Sequence, residues 1–245
     1  MCSSADAHVL DDVVRHSLTG AHAALGEGAP PAWRYDSEVS VFAAIEDDSD
    51  RSWTALAALT GGHGTALFRA RPIEPPRGWA VPFRGEGHQL VLDQPVPELP
   101  GPPPADRDSG AAVSVRDLGT DDVAAMLELV ARAQPGPFRP RTIEFGGYLG
   151  IFHDDRLVAM AGQRFQPPGY CEVSAVATHP DARRRRYASF LTAEVARRIQ
   201  ARGDTAFLHV AVDNVTAIPV YLGLGFAERT LTTFAAVQPP RTERT

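Results

Sequence analysis

The sequence predicts a mixed α/β fold in two units, a smaller one at the N-terminus and a larger one after it. A proline-rich segment near the middle of the 245-residue chain separates the two. In the second half, short segments alternate between apolar and polar residues, which is typical of β-strands. Between these segments, apolar residues recur every three or four positions, which is typical of amphipathic helices. The second half is therefore predicted to contain both strands and helices, in a regular order.

The proline-rich segment marks the clearest boundary in the chain. Prolines occupy positions 95, 97, 100, 102, 103 and 104. Each proline fixes φ and removes a backbone donor, so neither a helix nor a central strand can continue through this segment. We predict an N-terminal α/β domain at residues 1–94, a proline-rich linker at 95–110, a C-terminal domain at 111–238 and a tail at 239–245.

The N-terminal half has helical and strand patterns but no recognisable chemistry. Apolar residues from 7 to 25 recur at intervals of three, four and seven, which predicts one amphipathic helix. Ser52 is predicted to cap a second helix, which ends at the Gly-Gly-His-Gly cluster at 61–64. We interpret that cluster as a helix-to-strand turn, because the Lys-Ser/Thr of a phosphate-binding loop does not follow it. Short strands are predicted at 65–69 and 89–92.

The C-terminal half has a more regular order of elements. Alternating segments and helical spacings predict strand, helix, three strands, helix, strand, helix and strand. The helix that follows these three strands is expected to span about Arg184 to Ala201 and to end at Gly203. The predicted strands are 112–115, 148–152, 157–165, 170–178, 207–212 and 226–237, and the other helices begin at 120 and span 216–222.

Composition and charge exclude several classes of protein. The formal net charge is -6, and the sequence pI of about 5.7 argues against a nucleic-acid-binding protein. Cys2 and Cys171 are the only cysteines, so the sequence offers neither a disulfide framework nor a cysteine metal cluster. No run approaches the roughly 18 apolar residues of a membrane span, and the N-terminus does not resemble a secretory signal. We expect a cytoplasmic protein that binds no metal, nucleic acid or membrane.

One segment carries a specific chemical signal. Residues 175–191 have the sequence AVATHPDARRRRYASFL, in which a strand ends near Thr178 and four arginines precede a helix with small residues in its first turn. The start of a helix presents unpaired N–H groups and positive potential to an anion, and arginine adds charge suited to phosphate. The segment therefore predicts a pyrophosphate site at the start of this helix.

This segment resembles motif A of the GNAT superfamily of N-acetyltransferases, whose pattern is Gln/Arg-x-x-Gly-x-Gly/Ala. Arg183 matches the first position of that pattern and Ala188 the last. Downstream, LHVAVDNVTAIPVYLGLGF at 208–226 resembles motif B of the same superfamily. The residues in register with motif B are Asn214, Ala217, Ile218, Tyr221, Gly225 and Phe226.

The resemblance covers residues 113–237 and implies a GNAT-like central mixed sheet, flanked by helices, that binds acetyl-CoA as co-substrate. It implies transfer of the acetyl group to the amine of a small molecule or peptide, by direct attack on the thioester. The N-terminal half has the length of a degenerate copy of the same fold, although none of its motifs shows this. Whether the chain forms a homodimer stays open. The implied cofactor-binding residues are Val176, Ala177, Thr178, Arg183, Arg184, Arg185, Arg186, Tyr187, Ala188, Ser189, Asn214, Ala217 and Tyr221.

The resemblance also implies two catalytic residues, each with a structural alternative. Glu172 matches a carboxylate that takes the proton of the substrate amine, or else it is a strand residue paired with an arginine. Tyr221 matches a tyrosine that protonates the leaving thiolate, or else it packs its helix on the sheet. Asn214 matches a contact to the pantetheine arm, or else it caps a helix. His179, His209 and Cys171 are interpreted as structural residues.

Arg186 departs from the family pattern, because it replaces the central glycine of motif A. We expect an arginine with helical φ here, at which only crowding near the pyrophosphate is at issue. Its side chain then either points to solvent, grips a phosphate or blocks the site. The departure leaves a degenerate acyl-CoA-binding or scaffolding module as an alternative function, and the arginine run leaves a nucleic-acid patch as a weaker one.

Overall fold

The computed structural model describes residues 8–102, 105 and 110–240. The described helices are α1 (Val13–Leu18), α2 (Asp50–Leu59), α3 (Val123–Ala133), α4 (Tyr187–Ala201) and α5 (Ile218–Gly223). The strands of the N-terminal half are β1 (Gly26–Ala29), β2 (Ala32–Tyr35), β3 (Phe42–Ile45), β4 (Thr65–Arg69) and β5 (Ala80–Leu92). Those of the C-terminal half are β6 (Val113–Asp117), β7 (Leu149–His153), β8 (Arg156–Gln163), β9 (Tyr170–Thr178), β10 (Thr205–Ala211) and β11 (Ala227–Gln238).

All these strands join one mixed sheet, which confirms the predicted fold class. The order across the sheet is β1-β2-β3-β4-β11-β5-β10-β9-β8-β7-β6. Along the chain, the C-terminal half has the predicted succession of strands and helices. The two halves interleave at the centre, because β5 pairs with both β10 and β11, and β11 also pairs with β4. The linker thus connects two halves that share backbone hydrogen bonds, while the domain boundaries themselves stay a prediction.

The N-terminal half differs from its predicted elements in three places. The single helix predicted from 7 to 25 is wrong over the described residues, where α1 spans six residues between short 3-10 turns. Helix α2 is capped by Ser49, whose hydroxyl oxygen accepts from the amide of Ser52, so Ser52 is not the cap. Strand β5 has 13 residues, whereas only its buried end was predicted. Its first half is mostly exposed, and Pro82, Gly85 and Gly87 interrupt the alternation.

Helix α4 covers one face of the sheet at the position that matters for function. It packs against β8, β9 and β10 through Leu191, Val195 and Ile199, which recur every four residues and are fully buried. Burial of such side chains stabilises the fold by about 1.5–3 kcal/mol each, which fixes the helix on the strands. Helix α1 and a cluster of phenylalanines cover the other face. In the described ranges, no helix combines the length and apolar character that crossing a bilayer requires.

Candidate active site

Strands β9 and β10 separate in the middle of the sheet and open the site. Their parallel pairing joins Thr205–Phe207 to Tyr170–Glu172 and then stops. On its other side, β9 has a register shift against β8, between the pairs Met160–Ala177 and Gly162–Ser174. Ala175 lies within this bulge at φ 52°. A bulge takes backbone groups out of the ladder and bends its strand, so the N–H and C=O groups near Val176 are free to face a ligand.

A cleft of about 960 Å³ occupies the space between the separating strands. One wall is built from β9 residues 173–176, β10 residues 209–211, Asn214 and Tyr221 of α5. The other wall comes from the N-terminal half and β11, and includes four phenylalanines. These are Phe42, Phe68, Phe83 and Phe234. Both halves of the chain therefore form the cleft, a contribution by the N-terminal half that the sequence did not reveal.

The predicted start of α4 is wrong by three residues. The helix begins at Tyr187, and Arg186 is its N-cap residue at φ 61°. Arg184 also has positive φ, 63°, and Arg183 is extended. The expectation of helical φ at Arg186 is therefore wrong, because the chain keeps the left-handed turn that a glycine adopts readily. An L-residue there costs roughly 1–2 kcal/mol, so the arginine stores local strain.

The residues at the start of α4 fit a polyanionic ligand. The first amides of a helix have no acceptor within it, and Ala188 and Ser189 lie in that first turn. The arginine run adds positive charge, although Arg185 also donates to the carbonyl of Asp181 at 2.6 Å. Tyr187 contributes only its backbone, because its buried ring hydrogen bonds to His153 at 2.9 Å. The turn from β3 to α2 in the N-terminal half has the acidic sequence EDDSD at 46–50, which repels phosphate.

The remaining predicted residues at the end of β9 differ in their exposure. Val176 lines the cleft, whereas Ala177 is buried and contributes only its backbone. Thr178 has a buried hydroxyl without a hydrogen-bond partner among the described residues. Buried polar groups are usually paired, so this hydroxyl is an exception, and Thr178 does not itself line the cleft.

Tyr221 lies in the cleft, as its predicted role requires. Its ring is 8% exposed and packs edge-on against Phe226, with the ring centroids 6.3 Å apart. No described residue hydrogen bonds to its hydroxyl, which leaves the group available to a ligand. Burial raises the pKa of Tyr221 to about 12, so the phenol is protonated at neutral pH. This is the state that an acid needs.

Asn214 and Ala217 lie at the start of α5, beside Tyr221. The Asn214 side-chain oxygen accepts from the amide of Ala217 at 3.2 Å and from the hydroxyl of Thr216 at 3.0 Å. These bonds hold the turn before α5, whereas the N-cap residue of the helix is Ala217 and has no side-chain cap, so Asn214 does not cap the helix itself. Asn214 also lines the cleft, so its amide nitrogen stays available to a ligand. Ala217 is half-buried against the core.

Glu172 is completely buried and lies behind the cleft wall. Arg164 donates to both of its oxygens, from Nε at 2.7 Å and from Nη2 at 2.6 Å. Burial alone would raise the pKa of this carboxyl, but Arg164 and a hydrogen bond from His209 outweigh burial and hold it at about 2. Glu172 is therefore paired with an arginine, as the structural alternative stated, but it is buried within the strand. The role of Glu172 as proton acceptor stays a prediction, and Glu172 can reach the cleft only through a neighbour.

That neighbour is His209, which the sequence indicated only as a structural residue. Its Nδ1 lies 2.7 Å from Glu172, its Nε2 lies 2.9 Å from Gln89 Nε2, and its side chain is 5% exposed. Arg229 donates to the Gln89 oxygen, which orients the Gln89 amide so that its N–H faces the imidazole. The bonds assign the proton to Nδ1 and the lone pair to Nε2. His209 is thus satisfied, as expected, but it also lines the cleft.

A solved structure relates this geometry to a known family. It is described as an acetyltransferase from the GNAT family of Novosphingobium aromaticivorans DSM 12444. The two chains are 32% identical, the match covers 96% of this chain and 100% of that one, and the TM-score is 0.82. The chain belongs to the GNAT family. The model of FR47-like proteins also matches, over residues 148–235, which run from the start of β7 into β11.

More distant structures share the GNAT fold. A GCN5-related N-acetyltransferase from Kribbella flavida is 20% identical, with a TM-score of 0.55, and the match covers 89% of this chain and 90% of that one. A Drosophila protein is 16% identical, with a TM-score of 0.60 and coverage of 86% and 74%. No curated protein matches the sequence. The GNAT fold supports an acyltransferase that uses acetyl-CoA.

Proposed function

We propose that this protein is an acetyl-CoA-dependent N-acetyltransferase, which transfers an acetyl group to a primary amine by direct attack on the thioester. The observation that best supports this proposal is the separation of β9 and β10. It opens a cleft with the bulge of β9 on one side and the Tyr221 hydroxyl on the other. Helix α4 begins just beyond the end of β9. Such an arrangement can hold a thioester in the cleft and its phosphates at the helix start.

Acetyl-CoA supplies the activated acyl group when it is bound. The helix start, the arginines at 183–186 and the backbone at 176–178 would hold it, with Asn214 and Ala217 alongside. An N–H at the bulge is placed to stabilise the negative charge that develops on the thioester oxygen. A site that fixes both reactants gains most of its rate from proximity and orientation.

The proton of the attacking amine passes to His209, with Glu172 as the residue that positions it. An ammonium group with an ordinary pKa near 10 must lose a proton before it attacks. Burial as the main cause lowers the pKa of His209, so the imidazole is neutral. Its Nε2 lone pair accepts from Gln89 in this structure, so the amine must displace the Gln89 amide from Nε2 before it passes its proton to the ring. Glu172 orients the ring and stabilises the imidazolium as it forms. The carboxylate predicted as base therefore acts through the histidine.

Tyr221 donates its proton to the departing thiolate. Its pKa near 12 keeps it protonated until a strong base forms beside it. The bond to the thiolate breaks as the amine nitrogen bonds to the acetyl carbon, and the phenol proton goes to sulfur. Bulk solvent then reprotonates the tyrosine through the cleft.

Two measurements test the proposal together. Titration calorimetry of the full chain with acetyl-CoA is expected to show binding at micromolar to low millimolar concentration. CoA release with a panel of primary amines is expected to exceed acetyl-CoA hydrolysis without amine. Binding without release would favour the degenerate acyl-CoA-binding module instead. Absence of binding over this range would overturn the proposal.

A further inference from the structure

Arg164 presents unused hydrogen-bond donors to the cleft. It follows β8 directly, lines the cleft, and its side chain is 18% exposed. A guanidinium has five N–H groups, of which Glu172 takes one from Nε and one from Nη2. The other three form no hydrogen bond within the part of the chain that the structure describes. A fork of this kind matches a carboxylate in a planar, two-point arrangement.

Aromatic rings fix the position of this guanidinium. Its central carbon lies 4.6 Å from the ring centroid of Phe165, 5.5 Å from that of Phe42 and 5.8 Å from that of Phe68. Cation–π contacts of this length hold the side chain in place and lower the entropy lost when a ligand binds. Arg164 is thus a preorganised donor.

The same rings continue as an apolar wall to the mouth of the cleft. Phe68 contacts Phe234 edge-on at 6.1 Å, and Phe234 contacts Phe83 at 5.3 Å. Phe83 is 54% exposed, an unusual exposure for a large apolar side chain. A ligand that covers this ring and lies along the wall would bury apolar surface from Phe83 inward.

The spacing of Arg164 and His209 indicates how a ligand would lie. Both side chains hydrogen bond the same carboxylate oxygen of Glu172, at 2.6 Å and 2.7 Å. The donor fork of Arg164 therefore lies beside the Nδ1 edge of His209, while Nε2 on the other edge of the ring is bonded to Gln89. An amine and a carboxylate on one carbon atom can reach Arg164 and this ring together once the amine has displaced Gln89 from Nε2.

We propose that the acceptor is an α-amino acid with an aromatic or large apolar side chain. This inference rests on the proposed acetyl transfer. The carboxylate binds the free edge of Arg164, the amine replaces the Gln89 amide at Nε2 of His209, and the side chain lies along the phenylalanine wall. The amine nitrogen bonds to the acetyl carbon, the C–S bond breaks, and the amine proton leaves through His209. The product is an N-acetylamino acid.

The net charge of -6 would favour a cationic amine without a carboxylate, but the inner wall argues otherwise. Asp213 is the acidic side chain that lines the described cleft, and it is exposed at the rim. Inside the cleft, Arg164 is the charged side chain that reaches the surface, and its charge is balanced by the buried Glu172. It recognises an anion through its free N–H groups, which a carboxylate can accept from and an ammonium group cannot.

Binding of the two product forms is the first test. Calorimetry with the full chain, in the presence and absence of CoA, compares N-acetyl-L-phenylalanine with N-acetyl-L-phenylalaninamide. The carboxylate form is expected to bind at least tenfold more tightly. Equal binding, tighter binding of the amide, or no binding of either compound would overturn the inference, whatever the turnover assay shows.

Turnover supplies the second test, with L-phenylalanine, L-phenylalaninamide, 2-phenylethylamine and glycine. L-Phenylalanine is expected to have the highest kcat/KM by at least tenfold. A preference for 2-phenylethylamine would be compatible with acetyl transfer but would contradict the carboxylate-binding role of Arg164. Equal turnover of glycine would contradict the role of the phenylalanine wall in binding the acceptor side chain. Failure to bind acetyl-CoA is the separate outcome that rejects the proposed function.

Arg164→Lys is the matched variant, because lysine keeps a positive charge beside Glu172 but has no planar fork. Its preference for the carboxylate form is expected to fall to about threefold or less, with acetyl-CoA affinity unchanged. Arg132→Lys, at an exposed ion pair outside the cleft, is the control and should keep the full preference. An unchanged preference in a folded Arg164→Lys protein would overturn the assignment.

Discussion

Nδ1 of His209 lies 2.7 Å from Oε1 of Glu172, and this bond joins two strands just where their backbone pairing ends. It is part of a longer chain of polar contacts that runs from the buried Glu172 to the partly exposed Asp11. On one side Glu172 continues to Arg164, and on the other His209 continues to Gln89. From Gln89 the chain runs through Arg229 to Asp11. The site is therefore tied to strands of both halves.

The role of Glu172 can be measured through the pH dependence of the reaction. Glu172→Gln removes the anion that raises the proton affinity of His209, so the acid limb of kcat/KM should move to lower pH. Activity at neutral pH should fall about tenfold or more, because the ring loses its orienting partner. The variant also leaves Arg164 buried without a charge partner, which lowers the free energy of unfolding by about 3–5 kcal/mol. An acid limb that stays in place would remove Glu172 from the positioning role.

Tyr221→Phe removes the hydroxyl that is proposed to donate the proton but keeps the aromatic ring. The phenylalanine ring can still pack against Phe226, so acetyl-CoA affinity should stay within about twofold of the parent. The value of kcat should fall about 10²-fold, the usual contribution of a general acid. Tyr170→Phe, at a hydroxyl that contacts His8 outside the cleft, is the matched control. Wild-type turnover in Tyr221→Phe would show that another group protonates the thiolate.

The sequence predicted the elements of the C-terminal half well, since its strands alternate and α4 has apolar residues at regular intervals. It predicted the long exposed half of β5 poorly, because Pro82, Gly85 and Gly87 break the pattern. It also could not reveal Arg164 or the phenylalanine wall as parts of the site. Those residues come from β3, β4, β5, β11 and the end of β8, and they come together only through pairing between distant segments, which local periodicity does not record.

Two substitutions at Arg186 distinguish the effect of its strained backbone from a contact of its side chain with phosphate. Arg186→Gly removes a residue at φ 61°, so it should raise the free energy of unfolding by about 1 kcal/mol. Acetyl-CoA affinity should stay within about threefold, because the neighbouring arginines supply charge. Arg186→Ala is the comparison, since it loses the same charge but keeps the unfavourable φ. A loss beyond tenfold in both variants would mean that the Arg186 side chain grips a phosphate.

His22 predicts how stability depends on pH. It is buried beside Tyr35, with Nδ1 2.9 Å from the Tyr35 hydroxyl, and burial lowers its pKa to about 4. The unfolded chain therefore takes up a proton on this imidazole near pH 6.5, whereas the folded chain does so only near pH 4. The contribution of neutral His22 to the free energy of unfolding is fully present above pH 6.5 and is lost as the pH falls towards 4. One such proton changes the free energy of unfolding by about 1.4 kcal/mol per pH unit. Urea unfolding of His22→Asn between pH 7 and 4.5 should show a slope smaller by about that amount.

Cleavage of the linker tests whether the halves are one folding unit. A cut within residues 101–110 leaves β5 on one fragment and its neighbours β10 and β11 on the other. The ladders between them, together with the polar chain from Asp11 to Arg164, should hold the cut protein together. Size-exclusion chromatography should give one particle of the original mass, and heating should give one cooperative transition.

The fragment from 111 onward, expressed alone, should be unstable because β11 then lacks both of its neighbours. A soluble, cooperatively melting fragment would instead support two independent domains.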